Sequence, residues 1–157
     1  MTRRPAVLVS MCLLGIECRY DGRANGCGQL EALMALAELV PVCPEQLGGL
    51  PTPRTPSERL GSRVLTRDGA DVTAAFRRGA AQVCRLTERF GARYALLKAR
   101  SPSCGVGTIY DGSFSGALTA GDGVTAAALR LRGVQLFTEK QIDILIETLE
   151  RDTHDTV

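Results

Sequence analysis

The chain has 157 residues, 45% of them hydrophobic and 23% charged, with a formal net charge of +2. That composition suits one globular domain with a substantial core, and the charge is too small to argue for nucleic acid or an anionic membrane as a partner. No apolar run approaches the roughly 20 residues of a membrane span; the short run in MTRRPAVLVS reads as a core strand and not as a signal peptide, so a cytoplasmic protein is expected.

Residues 6–11 form a continuous apolar run, the mark of a strand buried on both faces. Gly15 to Gly28 holds four glycines and several charges and reads as a loop. Leu30, Leu33, Met34 and Ala37 keep helical spacing and predict a helix over about 30–39, followed by a second strand over 39–43 that Pro44 ends. Glu45 to Gly69 carries Pro51, Pro53, Pro56 and the pair Gly48-Gly49. Long structureless connections of this kind are usually functional, and the 46–70 segment is expected to shape a ligand pocket. Asp71 can N-cap a helix in which Val72, Phe76, Gly79, Val83, Leu86 and Phe90 recur at helical spacing.

Residues 94–99 make a third strand, and Tyr110-Asp111-Gly112-Ser113 predicts a tight turn in a short hairpin. Gly121-Asp122-Gly123 opens an alanine-rich helix that Gly133 ends, and Val134 to Phe137 is a further strand. Thr138 and Gln141 form a capping box for a last helix with apolar Ile142, Leu145, Ile146 and Leu149. Strand-helix alternation predicts an α/β fold with a mostly parallel, Rossmann-like sheet and helices on both faces. One domain over 1–157 is expected, with a polar tail from about 151, as a monomer or weak oligomer. The stretch Gly121 to Ala126 matches GxGxxA but lacks the strand context of a dinucleotide site. A helix N-terminus meeting an anion or polar ligand is the better reading.

Six cysteines are many for a cytosolic chain, where disulfides are rare. None of them is spaced as CxxC, which argues against zinc ribbons and thioredoxin-type sites. The single histidine, His154, sits in a polar tail, which removes Ser-His-Asp and Cys-His catalysis and the histidine-based zinc sites. Any metal must therefore be held mainly by thiolates, and soft ligands favour zinc or an iron–sulfur cluster.

Cys12, Cys43 and Cys104 each follow a predicted strand and adjoin Leu, Pro or Gly turn residues. In a parallel sheet those strand ends share one edge, where ligand sites form, so three thiols there can surround one metal centre and leave a position open. Cys18 is the substitute ligand, Cys27 lies in a glycine-rich loop, and Cys84 in a helix pattern reads as plain core. Glu45, held by Pro44 beside Cys43, suits a general base, and Ser101 is a second acid–base candidate beside Cys104. Arg54, Ser103 and Gly105 are placed on the substrate side of the site.

Taken together, CLLGIECRYDG (12–22), CPEQLGGLPTPRTPSERL (43–60), KARSPSCG (98–105) and IYDGSFSG (109–116) resemble the bacterial DUF523 family, whose characterised members are 2-thiouracil desulfidases (TudS). The resemblance runs from about Val7 to Phe137 and implies an α/β fold with a [4Fe-4S] cluster on Cys12, Cys43 and Cys104. It implies a fourth iron without a protein ligand and catalytic roles for Glu45 and Ser101. The substrate it implies is a small thiolated pyrimidine. Two other readings compete on the residues alone: a zinc hydrolase with three thiolates, and a non-enzymatic iron–sulfur protein for electron transfer or sensing, with Cys18 as fourth ligand.

Overall fold

The computed structural model describes residues 3–155; the outermost residues of the expected 1–157 unit, and of its polar tail, lie outside the described residues. Strand β1 (Ala6–Ser10) is the apolar AVLVS run, and its Val7, Leu8 and Val9 are fully buried. It pairs in parallel with β2 (Glu38–Val42) on one side and β5 (Tyr94–Leu97) on the other. Strand β8 (Gln135–Thr138) joins β5, again in parallel, for the order β2-β1-β5-β8.

Alternate side chains of each strand enter different cores, as the two-residue period of a strand requires. Val7, Val9, Tyr94 and Leu96 pack with α1 (Leu30–Leu36) and α5 (Ile142–His154) through Leu33, Leu145 and Leu149. Leu8, Ala95 and Leu97 pack with α3 (Thr73–Phe90) and α4 (Val124–Leu131) through Val83, Cys84 and Leu129. Helices thus cover both faces, and β1 reads as unbroken hydrophobicity because neither face meets water. Among the described residues no helix is long and apolar enough to cross a membrane.

The segment after Cys43 departs from the structureless connection expected of it. Its first residues form α2 (Pro44–Leu47), and beyond the prolines β3 (Ser57–Leu60) and β4 (Arg63–Thr66) make an antiparallel hairpin. Each strand has only four residues, and in β4 only Val64 and Thr66 are buried, so the alternation is too brief to stand out beside three prolines. Helix α1 ends at Leu36, short of the expected 39, because β2 already pairs at Glu38 with Ala6. Asp71 does not occupy the N-cap; α3 starts at Thr73, whose N–H donates to Asp71 Oδ1 at 2.9 Å. Strands β6 (Thr108–Tyr110) and β7 (Leu118–Ala120) form the second hairpin, joined by a loop over 111–117 that is longer than the tight turn expected. The capping box is present, with Thr138 N–H donating to Gln141 Oε1 at 3.0 Å, and it caps a 3-10 turn (Glu139–Gln141) that precedes α5. Residues 151–154 continue α5.

Two glycines let α3 press its backbone against α2. A Cβ on Gly79 would lie 1.9 Å from the Pro44 carbonyl oxygen, and one on Gly48 would lie 2.0 Å from that of Ala75. Neither obstacle is a movable side chain, so the α2 turn seats on α3 only with hydrogen at both positions. Gly79→Ala is therefore expected to destabilise the fold by about 1–3 kcal/mol, the usual cost of overpacking, read as a lower urea midpoint. A midpoint within error of wild type would show that the two helices separate freely.

Candidate functional site

The carboxyl ends of β1, β2 and β5 open on a cavity of about 510 Å³. Cys12, Cys43 and Cys104 all line it and are all buried, and Cys18 joins them as a fourth thiol. Cys12 lies in a 3-10 turn (Met11–Leu14) directly after β1, where its carbonyl accepts N–H from Gly15 at 3.2 Å and Asn25 at 2.9 Å. Gly15 closes that turn at φ +86°, a conformation glycine adopts without strain. Cys43 occupies the N-cap of α2 with Pro44 just inside the helix, the favoured first position for proline.

Cys104 sits in a helical turn that begins at Ser101. Ser101 Oγ accepts the N–H of Ser103 at 3.1 Å and of Cys104 at 3.0 Å, and its carbonyl accepts Gly105 N–H at 2.8 Å. The N-terminus of α4 meets this turn from below: Val124 N–H donates to Pro102 O, and Thr125 and Ala126 N–H donate to Ser103 O, at 2.8, 2.9 and 3.1 Å. The GxGxxA stretch is thus a helix N-terminus whose polar ligand is the chain's own Cys104 turn. A Cβ on Gly123 would fall 2.4 Å from the Ser103 carbonyl carbon, which accounts for that glycine.

Burial raises the Cys12 thiol, with the cations Lys98 and Arg19 acting against it. Burial pushes Cys104 up to about 12 even though the Ser10 and Ser103 hydroxyls favour its thiolate. Cys18 is also raised to about 12, first by burial and then by the neighbouring Cys43 and Cys12. All six cysteines are unpaired. Cys84 points from α3 into the core, and half-buried Cys27 donates to the Gly28 carbonyl away from the cavity lining.

Among the described residues no three Cys, His, Asp or Glu side chains stand close enough to hold a single ion. Four soft donors instead surround a space, a disposition that fits a multi-iron cluster bound through thiolates. A lone zinc requires sulfurs drawn in to about 2.3 Å.

Glu45 is anchored at both oxygens: Arg54 Nε donates to Oε1 and Ser103 Oγ donates to Oε2, each at 3.0 Å. Arg54, whose side chain is 6% exposed, is not the solvated arginine that a proline-rich loop suggests. Its Nη1 donates to Pro51 O at 3.2 Å and Thr52 Oγ1 at 2.9 Å, and its Nη2 donates to Cys18 O at 3.0 Å. One guanidinium therefore ties together α2, the proline segment and the Cys18 loop. Ser101 and Ser103 reach the cavity with Glu45 and Arg54. Gly105 does not line it; a Cβ there would lie 2.7 Å from both Ile109 Cγ2 and Ser101 O, which gives Gly105 a packing role.

Sequence reasoning missed three supports. Ser10 Oγ accepts Lys98 N–H at 2.9 Å. Glu139, arriving from β8, accepts Lys98 Nζ at 2.7 Å and Ala99 N–H at 2.8 Å. Glu58 Oε1 accepts Gly112 N–H at 3.0 Å and Phe114 N–H at 3.1 Å, so the β3–β4 hairpin fastens the 111–117 loop over the cavity, with Arg67 over the Phe114 ring. Only Glu58 carried a signal, since it lies within the long segment judged functional.

The model of the 2-thiouracil desulfurase family matches residues 7–141. The chain is 39% identical over 150 residues to the uncharacterized protein YbbK of Bacillus subtilis (strain 168), covering 89% of this chain and 99% of that protein. A solved structure of the [4Fe-4S]-dependent thiouracil desulfidase TudS superposes with a TM-score of 0.89 at 48% identity, over 94% of this chain and 99% of that one.

Removing one member of a buried ion pair typically costs about 3–5 kcal/mol, so Arg54→Ala should lower the denaturation midpoint of the metal-free protein and loosen the Cys18 loop. Arg54→Lys should not restore it, because one ammonium cannot serve three segments. A wild-type midpoint in Arg54→Ala would demote this hub.

The raised Cys104 thiol carries a pH prediction. Between its ordinary value of 9.0 and its folded value of about 12, the folded chain holds a proton the unfolded chain has lost, so stability falls as pH rises through that window. The urea midpoint of metal-free protein should decline from pH 9 upward, and less steeply in Cys104→Ser.

Proposed function

We propose what this chain does from the premise that it belongs to the 2-thiouracil desulfurase family: it removes sulfur from a thiolated pyrimidine by hydrolysis, in the cytoplasm. The carbon–sulfur double bond and water become a carbonyl and hydrogen sulfide, with no net redox change. The observation that carries the reading is one cavity holding Cys12, Cys43 and Cys104 together with Glu45 and Ser101. The three thiols would hold a [4Fe-4S] cluster, the cofactor named for the similar TudS structure. When bound, such a cluster supplies a soft Lewis acid, an iron without a protein ligand, suited to a thiocarbonyl sulfur.

Glu45 keeps lone pairs beyond the bonds from Arg54 and Ser103, since a carboxylate has about four acceptor sites. It takes a proton from the water that attacks the ring carbon. Ser101, held by two backbone N–H groups at its Oγ, fixes the cavity wall beside Glu45 and orients the ring by packing. An electron-transfer or sensor protein has no use for a half-buried carboxylate–serine array next to its cofactor, and three thiolates donate so much charge that a zinc held by them is a poor Lewis acid. Six free cysteines fit a reducing compartment.

The cavity lies within the range of about 300–1,000 Å³ usual for small-molecule sites. Arg67, Arg100 and Lys140 line it, Arg19 there being paired with Asp21 at 3.1 Å, and the lining carboxylates are Glu58 and the Arg54-paired Glu45. That cationic excess favours an anionic derivative, a thiopyrimidine nucleotide, over the neutral free base. The nucleoside monophosphate should show a lower KM than 2-thiouracil, and the advantage should shrink with added salt. Equal KM values at all ionic strengths would remove the charge argument.

Anaerobically purified protein should contain about four irons per chain with matching acid-labile sulfide. Cys12→Ala, Cys43→Ala and Cys104→Ala should each deplete them, and Cys84→Ala should not. Stoichiometric zinc without labile sulfide would falsify the cluster assignment. Glu45→Gln should keep its iron and lose roughly 100-fold or more in turnover, the range for a lost general base. Near-wild-type sulfide release by that variant would leave Glu45 only an orienting role.

A further inference from the structure

We infer that Ser103 is a positioning residue that locks Ser101 and Glu45 into one catalytic unit, and is not a contact for substrate. The inference rests on the function proposed above and deepens it. Ser103 is 2% exposed, and a hydroxyl so deeply buried must find partners inside the protein. Its Oγ lies 3.0 Å from Glu45 Oε2 and 3.0 Å from Ser101 Oγ, so it spans the two groups assigned to the chemistry.

The polarity of this chain of bonds follows from counting donors and lone pairs. A serine hydroxyl has one proton and two lone pairs. Ser101 Oγ accepts N–H from both Ser103 and Cys104, so its lone pairs are engaged and its proton must be given away. A carboxylate can only accept, so the Ser103 proton goes to Glu45. The bond between the serines then runs from Ser101 to Ser103, and the whole array points one way: Ser101 to Ser103 to Glu45.

Among the described residues, Cys104 Sγ also lies within reach of Ser103 Oγ, but at 3.7 Å it is longer and weaker than the carboxylate at 3.0 Å. Without Ser103, Glu45 Oε2 loses the hydroxyl that, among the described residues, donates to it, and the Ser101 proton loses its acceptor. Both groups then sample other orientations, although Arg54 still holds Glu45 Oε1 and the backbone still holds Ser101 Oγ. Orientation errors of this kind lower turnover more than binding.

The test is a double-mutant cycle in the cluster-loaded enzyme. Ser103→Ala should keep its iron and a KM near wild type while kcat falls about 10-fold or more. Ser103→Thr, which retains the hydroxyl, should recover most of it. Removing Ser103 in a Glu45→Gln background should cost little further, because residues that act as a unit are strongly non-additive. Additive losses, or a KM that rises while kcat holds, would overturn the inference and return Ser103 to the substrate side.

A second measurement needs neither cluster nor turnover. In iron-free protein the infrared difference between wild type and Ser103→Ala should contain a carboxylate stretch that vanishes in the Glu45→Gln background. No such band would break the Ser103–Glu45 link even in an active enzyme. Its presence in a protein that turns over no thiopyrimidine would retain the link and reject the proposed reaction instead.

Discussion

A buried guanidinium organises the floor of this cavity. Arg54 meets Glu45 at 3.0 Å with little of either side chain exposed to solvent, and its remaining N–H groups bind the Cys18 carbonyl and the proline segment. Removing two charges from water is costly, and the pair tolerates it because the fork of Arg54 is so fully used and Glu45 has a second donor in Ser103. Arg54 therefore joins parts of the chain that share no secondary structure. The helix carrying Glu45, the loop carrying Cys18 and the path toward the β3–β4 hairpin all take their relative positions from it.

The thiols depend on a different constraint, the close approach of backbones. The α2 turn behind Cys43 sits against α3 at Gly79 and Gly48, and the turn carrying Cys104 sits on the N-terminus of α4 at Gly123. A helix end suited to an external anion is consumed by the carbonyls of Pro102 and Ser103. This use of α4 stiffens the turn from below, while Ser101 caps it from within. A polynuclear cofactor needs donors held at fixed separations, and rigid turns on a parallel sheet supply that better than mobile loops.

Electrostatics around the cavity is divided by depth. Burial raises the thiols of Cys12, Cys18 and Cys104, and Lys98 and Arg19 favour the Cys12 thiolate that a metal requires. Nearer the rim stand further cations, together with the hairpin-fastened loop that carries Phe114. Buried thiols and the half-buried Glu45 and Ser101 thus lie inside, and the exposed cations Arg67, Arg100 and Lys140 lie outside them.

Much of this was legible in the residues before any coordinates. The apolar run at 6–11 determines a strand covered on both faces, as does the core of the 94–99 run in β5, whereas the 39–43 run becomes the half-buried edge strand β2. Cysteines at their ends then fall on one edge by topology alone. The near absence of histidine determined that any metal must be held by sulfur. Tertiary structure decided the rest, since it turns on contacts between residues far apart in sequence. No spacing reveals that Arg54 serves the Cys18 loop and Glu45 at once, that Ser103 bridges Glu45 from 58 residues away, or that Gly105 packs against Ile109 instead of lining the cavity. The β3–β4 hairpin stayed hidden for a related reason: its short strands have weak local pattern and gain their stability from packing. Local periodicity reports which face of an element is buried, whereas hydrogen-bond partners depend on where the chain returns.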